Sequence, residues 1–282
     1  MTDAYHFGLV GHNVAYSRSP QIFQAVFDHL ETSGRFEVYD IAPEKFPSEF
    51  RRLVSSGAQG LSVTIPYKNE VIPYLNDLDP VAKALQAVNS VLLDGDRSCG
   101  FNTDCYGFSL PLRSHAASLK NGAALVLGCG GGARAALYAL YADYEIRGCT
   151  VVGRDSERLR AFKRLMTGAL PQLEINTRRN GAGRPAMTTP WNIVVNCTPL
   201  GGWNHPDESR FPIWLDWSAV HIYYDLNYNE GNVFIAAAGR AGATTIDGSA
   251  MLVGQALRSF HIWTGRKLPF GPIYNEVFGA EK

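Results

Sequence analysis

An α/β chain of two domains is what this sequence predicts, on three observations. Short apolar runs alternate with segments of helical period in both halves, the rhythm of a mostly parallel sheet covered by helices. Near the middle, Ala124 to Leu127 meets Gly128-Cys129-Gly130-Gly131-Gly132 and then the alanine-rich Ala133 to Leu137, which reads as strand, tight turn, helix. Finally, 282 residues are long for one core and comfortable for two.

Taken in order, Tyr5 to Val10 reads as a first strand ending at Gly11. The polar stretch His12 to Pro20 ends in a helix-start signal, with Ser19 as N-cap and Pro20 at the first helical position. Ile22, Phe23, Val26, Phe27 and Leu30 follow at helical spacing. Phe36 to Ile41 reads as a strand, and Pro43 to Ser55 as a helix with Phe46, Phe50 and Leu53 inward. Gly60 to Ile65 is a β-branched strand that Pro66 terminates, since proline cannot donate to a ladder. Lys68 stands just beyond its end, where open α/β sheets place their ligands. Ala87 to Leu93 is a further strand, closed by a hairpin-type turn at Asp94-Gly95-Asp96.

The second half opens with the glycine loop. Gly128, Gly130 and Ala133 fit the dinucleotide fingerprint G-x-G-x-x-G/A, which turns sharply, admits a pyrophosphate to the backbone and lets the helix pack close. Such a loop fits a Rossmann-like domain with phosphates at the new helix's N-terminus; a plain turn, a methyltransferase site or a flavin site has a similar pattern. Gly148 to Gly153 is its second strand. Where NAD sites usually show an acid, this strand is followed by Arg154, Asp155 and, one turn on, Arg158; the arginines favour a 2′-phosphate and hence NADP, while Asp155 keeps NAD possible. Trp191 to Asn196 and Val220 to Asp225 read as strands, Val233 to Ala241 as a helix, Thr244 to Ile246 as a last short strand, and Ser249 to Thr264 as a closing helix. Cys197 to Gly202 is the loop at the end of the first of these strands, and its continuation through Pro212, with few periodic apolar residues, reads as a mobile lid.

Composition excludes several classes. The 26 basic and 26 acidic side chains cancel, so the basic excess of a nucleic-acid binder is missing. No apolar run approaches a membrane span, and the first residues lack the features of a signal peptide, which makes a cytoplasmic location the expectation. Five cysteines, odd in number and without a C-x-x-C pair, fit reduced thiols, and seven scattered histidines suggest no metal site.

Several separate stretches together resemble one family. Tyr16-Ser17-Arg18-Ser19-Pro20, Ser62 to Lys68, Ala87-Val88-Asn89, Asn102-Thr103-Asp104 with Gly107-Phe108, Gly128 to Ala135, Asn196 to Pro199, Tyr224-Asp225, and Asp247-Gly248 with Met251 to Gln255 are similar, in this order, to shikimate dehydrogenases. The resemblance implies a substrate-binding and catalytic domain over residues 1–105, completed by C-terminal helices from about 249 to 282, and an NADP-binding domain over 106–248. It implies Lys68 and Asp104 as the catalytic pair. Ser17, Ser19, Thr64, Asn89 and Gln255 would bind shikimate, with Tyr224 nearby. Gly128, Cys129, Gly130, Gly131, Gly132, the run Gly153, Arg154, Asp155 and Arg158, and Gly248 would contact the cofactor. The expected partner is a small molecule, neither nucleic acid nor membrane, and the chain a monomer or homodimer.

Residue chemistry points the same way. Shikimate is a carboxylate with three hydroxyls, and Ser, Thr, Asn and Gln offer directed hydrogen bonds that reject analogues lacking one. An ammonium group can protonate the oxygen of a carbonyl receiving hydride. Some positions depart from the family pattern: Tyr16 stands where histidine is common, Asn13 where proline is, Gln86 where glycine is, Glu230 where proline often stands, Cys129 where alanine is usual, and Ser249-Ala250 varies a segment near Gln255. They leave open quinate or an aminoshikimate as substrate; Asp155 leaves open a quinate/shikimate enzyme preferring NAD, and outside enzymes the alternative is a non-catalytic relative that binds shikimate. Cys129 is open to two readings, an oxidant sensor or a small apolar filler. Methylenetetrahydrofolate dehydrogenases join similar domains, but give the serine-rich loop and Gln255 no purpose.

Overall fold

The computed structural model describes residues 4–181, 191–202 and 215–279. In chain order its elements are β1 (Tyr5–Gly11), α1 (Ser19–His29), β2 (Gly34–Asp40), α2 (Phe46–Val54), β3 (Gly60–Val63), β4 (Asp77–Leu78), α3 (Pro80–Leu85), β5 (Ser90–Asp94), β6 (Arg97–Phe101), α4 (Asp104–Ser109), α5 (Ala116–Leu119), β7 (Ala123–Leu127), α6 (Gly131–Tyr144), β8 (Gly148–Gly153), α7 (Ser156–Ala169), β9 (Glu174–Arg179), β10 (Trp191–Asn196), β11 (Val220–Asp225), α8 (Val233–Arg240), β12 (Thr244–Ile246), α9 (Ser249–Thr264) and α10 (Phe270–Phe278). The chain divides into two compact units: residues up to Gly107 together with those from Leu252 onward, and Phe108–Met251. No helix among the described residues is long and apolar enough to cross a membrane.

The first unit holds a six-stranded sheet in the order β2-β1-β3-β5-β6-β4. β1 pairs parallel with β2 and β3, and β4 with β6, whereas β5 runs antiparallel to both β3 and β6, the latter through the turn at Gly95; three of the five ladders are parallel, as strand–helix alternation predicts, with one reversed strand among them. On one face Phe46, Phe50, Leu53, Leu61, Val63 and Tyr67 form a core. On the other, Phe7, Phe23 and Phe27 pack against Val253, Phe260 and Trp263 of α9. The Trp263 ring lies directly on Gly60, where a Cβ would collide with it. Only a glycine admits the ring there.

Several boundaries differ from the sequence expectation: β2 covers Gly34–Asp40 rather than Phe36 to Ile41, α2 Phe46–Val54 rather than Pro43 to Ser55, and β5 Ser90–Asp94 rather than Ala87 to Leu93. β3 stops at Val63 rather than Ile65, and the Ile65–Pro66 bond is cis. α1 begins at Ser19, with Pro20 in its first turn and no side-chain cap on its N-cap residue, Arg18; the Ser17 hydroxyl instead accepts the Ser19 amide at 3.2 Å. Ser19 is therefore a first-turn residue, and its neighbour supplies the acceptor.

The second unit is a parallel sheet in the order β12-β11-β10-β7-β8-β9. Its order reverses between β7 and β10, the switch point at which open sheets of this kind bind ligands. Asp225, fully buried at the end of β11, has one carboxylate oxygen accepting from Asn196 at 3.0 Å, Tyr223 at 2.8 Å and Asn232 at 3.1 Å, and the other accepting from the Asn227 amide at 3.0 Å. One carboxylate thus ties together the loops after β10 and β11 and the start of α8. The lid read from the sequence, the continuation beyond Gly202 through Pro212, lies outside the described residues.

Candidate active site

Strand direction gathers the first unit's polar residues at one sheet edge. β1 and β3 are parallel and end on the same side; β5 runs opposite and begins there; β6 reverses again and ends there. The loop after β1 (Ser17, Ser19), the loop after β3 (Thr64, Lys68), the approach to β5 (Asn89) and the exit from β6 (Thr103, Asp104) therefore converge. Backbone bonds hold these loops to each other. His12 N–H donates to the Ile65 carbonyl at 3.0 Å, and Val88 N–H to the Lys68 carbonyl at 2.7 Å.

Within that edge, Lys68 Nζ lies 2.5 Å from Asp104 Oδ2, with side-chain exposures of 18% and 6%. The other carboxylate oxygen accepts from Asn89 Nδ2 at 2.9 Å. Asn89 is itself buried, and its amide nitrogen also sits 2.9 Å from Thr103 Oγ1 and 3.2 Å from Gln255 Oε1 on α9. Its carbonyl accepts the Thr103 amide at 2.6 Å. Thr103 reaches Ser259 at 3.1 Å, and Ser259 donates to the Gln255 carbonyl at 2.9 Å. The chain of bonds is closed, so Asp104 is fixed from two sides and Lys68 has one defined partner. Thr103 and Ser259 are members that the sequence reading did not single out. Ser259 follows Gln255 by one helical turn on the same face of α9, which is the signal that finds it.

Ser17 Oγ lies 3.1 Å from Ser19 Oγ, the latter buried. Their loop is anchored from β2. Asp40 accepts the amides of Asn13 at 2.9 Å and Val14 at 3.2 Å, and lies 3.3 Å from His12 Nδ1. Those bonds, the Asn13 amide foremost, hold the Asp40 carboxyl below its ordinary range. Asn13 has φ +56°, a conformation closed to the proline common at this position, and it uses the N–H that proline lacks. The departure from the family pattern thus comes with its own anchor. Tyr16, at a second departure, is 47% exposed beside the serines.

Tyr224 belongs to the second unit. It is wholly buried and stacked on Phe108, ring centroids 4.8 Å apart, and its hydroxyl has no partner. Burial raises the phenol well above its usual value.

At the glycine loop, Gly128 takes φ +103°, and a Cβ there would meet the Cys197 carbonyl at 3.2 Å. α6 starts at Gly131 with no side-chain cap on Gly130, and a Cβ on Gly130 would meet nothing within 4 Å. A 14-residue helix with uncapped first-turn amides behind an open glycine crest suits a pyrophosphate. After β8, Asp155 N-caps α7, its Oδ1 accepting from Glu157 at 2.7 Å and Arg158 at 3.0 Å. That oxygen is occupied by the helix, whereas Arg154 and Arg158 stand exposed on either side. The residues present therefore fit a dinucleotide carrying a 2′-phosphate. Gly153 packs against Leu159, which a Cβ at that position would approach to 3.1 Å, and Gly248 packs so tightly on the Leu226 carbonyl that a Cβ would collide with it, so both are glycines by close approach. Burial raises the Cys129 thiol, which keeps it protonated and favours the filler reading.

A family model described as the shikimate dehydrogenase substrate binding domain matches residues 9–91, and one for the shikimate 5'-dehydrogenase C-terminal domain matches 248–278. A shikimate dehydrogenase (NADP(+)) from Chlorobaculum tepidum is 34% identical across 97% of this chain and 95% of its own. The chain belongs to the shikimate dehydrogenase family. A second member, from Chlorobium phaeobacteroides, is 35% identical over 94% of this chain and 93% of its own. The crystal structure of shikimate 5-dehydrogenase from Thermus thermophilus, in complex with NADP(H) and shikimate, superposes with a TM-score of 0.80 at 27% identity, covering 97% of this chain and 98% of that one. The two-domain Rossmann-like fold of the family is the fold of this chain.

Proposed function

We propose that this protein is a shikimate dehydrogenase that interconverts 3-dehydroshikimate and shikimate with NADP(H), using Lys68 and Asp104. The observation that carries the reading is the ion pair between those two residues, set among serine, threonine, asparagine and glutamine side chains suited to a polyol acid. Arg154 and Arg158, exposed beside an Asp155 already engaged as a cap, favour NADP over NAD. Gly128 to Gly132, Gly153, Arg154 and Arg158 would hold the cofactor, which supplies the hydride when bound.

The remaining chemistry belongs to the first unit. The Lys68 ammonium gives a proton to the carbonyl oxygen as negative charge develops there, and in the reverse direction the amine takes it back. Asp104 fixes that amine through Oδ2 and is itself fixed through Oδ1 by Asn89. The Ser17–Ser19 pair, Thr64, Asn89 and Gln255 offer the hydroxyl and amide groups for the carboxylate and ring hydroxyls. A cytoplasmic setting accords with five free thiols. The test is the initial rate of NADP reduction by purified protein with shikimate, alongside quinate and NAD. Shikimate with NADP is expected to give the highest kcat/KM, and no turnover with any pairing would overturn the reading.

A further inference from the structure

Ser62 on β3 and Ser90 on β5 are directly opposite across an antiparallel ladder. The flanking backbone bonds, Val63 N–H to the Asn89 carbonyl at 2.8 Å and Leu93 N–H to the Gln59 carbonyl at 3.0 Å, make theirs the pair that exchanges none. In such pairs the side chains stand closest, with Cβ atoms about 4.5–5.5 Å apart. Both residues are buried, at 5% and 0% exposure, and neither hydroxyl has a hydrogen-bond partner, the other included. Buried hydroxyls as a rule are bonded. Two lone ones facing each other is a specific deficit.

We propose that Ser62 and Ser90 together bind one oxygen of the hydroxyl kind, able to donate and accept: a sequestered water or one ring hydroxyl of the substrate. Two hydrogen bonds of about 2.8 Å placed end to end span up to roughly 5.6 Å, which suits this cross-strand gap. The surroundings supply a further partner. Trp263, whose ring covers Gly60 two residues before Ser62 on the same face, has an indole N–H that is also unpartnered, and a buried water typically makes about three bonds. The spot adjoins the candidate site along both strands. Thr64 follows Ser62 by two residues, and Asn89 immediately precedes Ser90. The water form stands on these hydroxyls alone, and the substrate form rests on the function proposed above.

Crystals of the full chain, grown without ligand and with shikimate, separate the two. An oxygen peak within hydrogen-bonding distance of both Oγ atoms in the unliganded crystal, retained with shikimate, is the water. A position filled only with shikimate, by a ring oxygen, is the substrate. In the second case Ser62→Ala and Ser90→Ala each raise KM for shikimate roughly 10-fold and leave KM for NADP unchanged; in the first they lower Tm and abolish the peak. The absence of any oxygen bridging the two hydroxyls in either crystal would overturn the proposal, as would a peak that persists in the double alanine variant. Failure of shikimate to bind would count against the proposed function and leave the unliganded crystal to decide.

Discussion

The Lys68 ammonium and the Asp104 carboxylate meet at 2.5 Å across 36 residues of sequence, and each is placed by a different loop of one sheet edge. If the pair handles the proton of the reaction, Lys68→Ala should lower kcat by about 10²-fold or more, the usual size of general acid–base effects, with little change in KM for shikimate. Steady-state rates across shikimate concentration check this. Near-normal kcat would take Lys68 out of the mechanism.

The anchor beneath the Ser17–Ser19 loop gives a second outcome. Asp40→Ala frees the amides of Asn13 and Val14, so KM for shikimate should rise several-fold while kcat and KM for NADP hold. The same residue shapes the acid response. Its folded pKa lies below the ordinary value of 3.8, so on acidification the unfolded chain takes up this proton first; Asp40 contributes stability above that value, which is lost as pH falls through the folded pKa. Tm measured from pH 5 downward should fall less steeply in Asp40→Asn than in the parent, and equal slopes would refute the assignment.

Cofactor choice divides between Arg158 and Asp155. Arg158→Ala should lower kcat/KM for NADP roughly 10- to 100-fold, the equivalent of about 1.5–3 kcal/mol for a charge-assisted bond to a phosphate, and spare NAD. Asp155→Ala should instead lower Tm slightly, because it removes the cap of α7, without moving the NADP to NAD ratio. A shift toward NADP in that variant would mean that the carboxylate serves the ribose.

Gln86, which replaces a common glycine, ends α3 with φ +48°. That left-handed position is the one glycine fills without steric cost. Gln86→Gly should therefore raise stability by up to about 1 kcal/mol, offset in part by loss of the side-chain bond to the Lys83 carbonyl, and leave turnover unchanged. Chemical denaturation measures it.

How much of this was legible in the sequence depends on what each element buries. β8, β10, β11, β12 and α9 fall at the boundaries read from sequence, because their apolar runs end at sharp breakers such as Gly153 and Asp247-Gly248. β9 escapes because it is an edge strand, Glu-Ile-Asn-Thr-Arg-Arg, burying Ile175 alone, and its pattern is that of a polar loop. The antiparallel hairpin within the first sheet was signalled by its turn but not by its place in the strand order. Lys68 and Asp104 share no local pattern, so motif resemblance alone proposed them together. The hydrogen bonds from Asn89 to Thr103 and on to Ser259, and the hold of Asp40 on His12 to Val14, link residues whose separation in sequence follows no period.

Trp263 seated on Gly60 has a bearing on biosynthesis. The apolar face formed by Phe7 and Phe23 is made early, but the helix that covers it leaves the ribosome only after residues 108–251 have been polymerised. At about 5–20 residues per second this is an interval of roughly 7–30 s, during which the nascent first sheet lacks its cover. The second unit, continuous in the chain, has no such wait, so the order of translation leaves the sheet that carries Lys68 and Asp104 uncovered until the last turn of α9 has emerged.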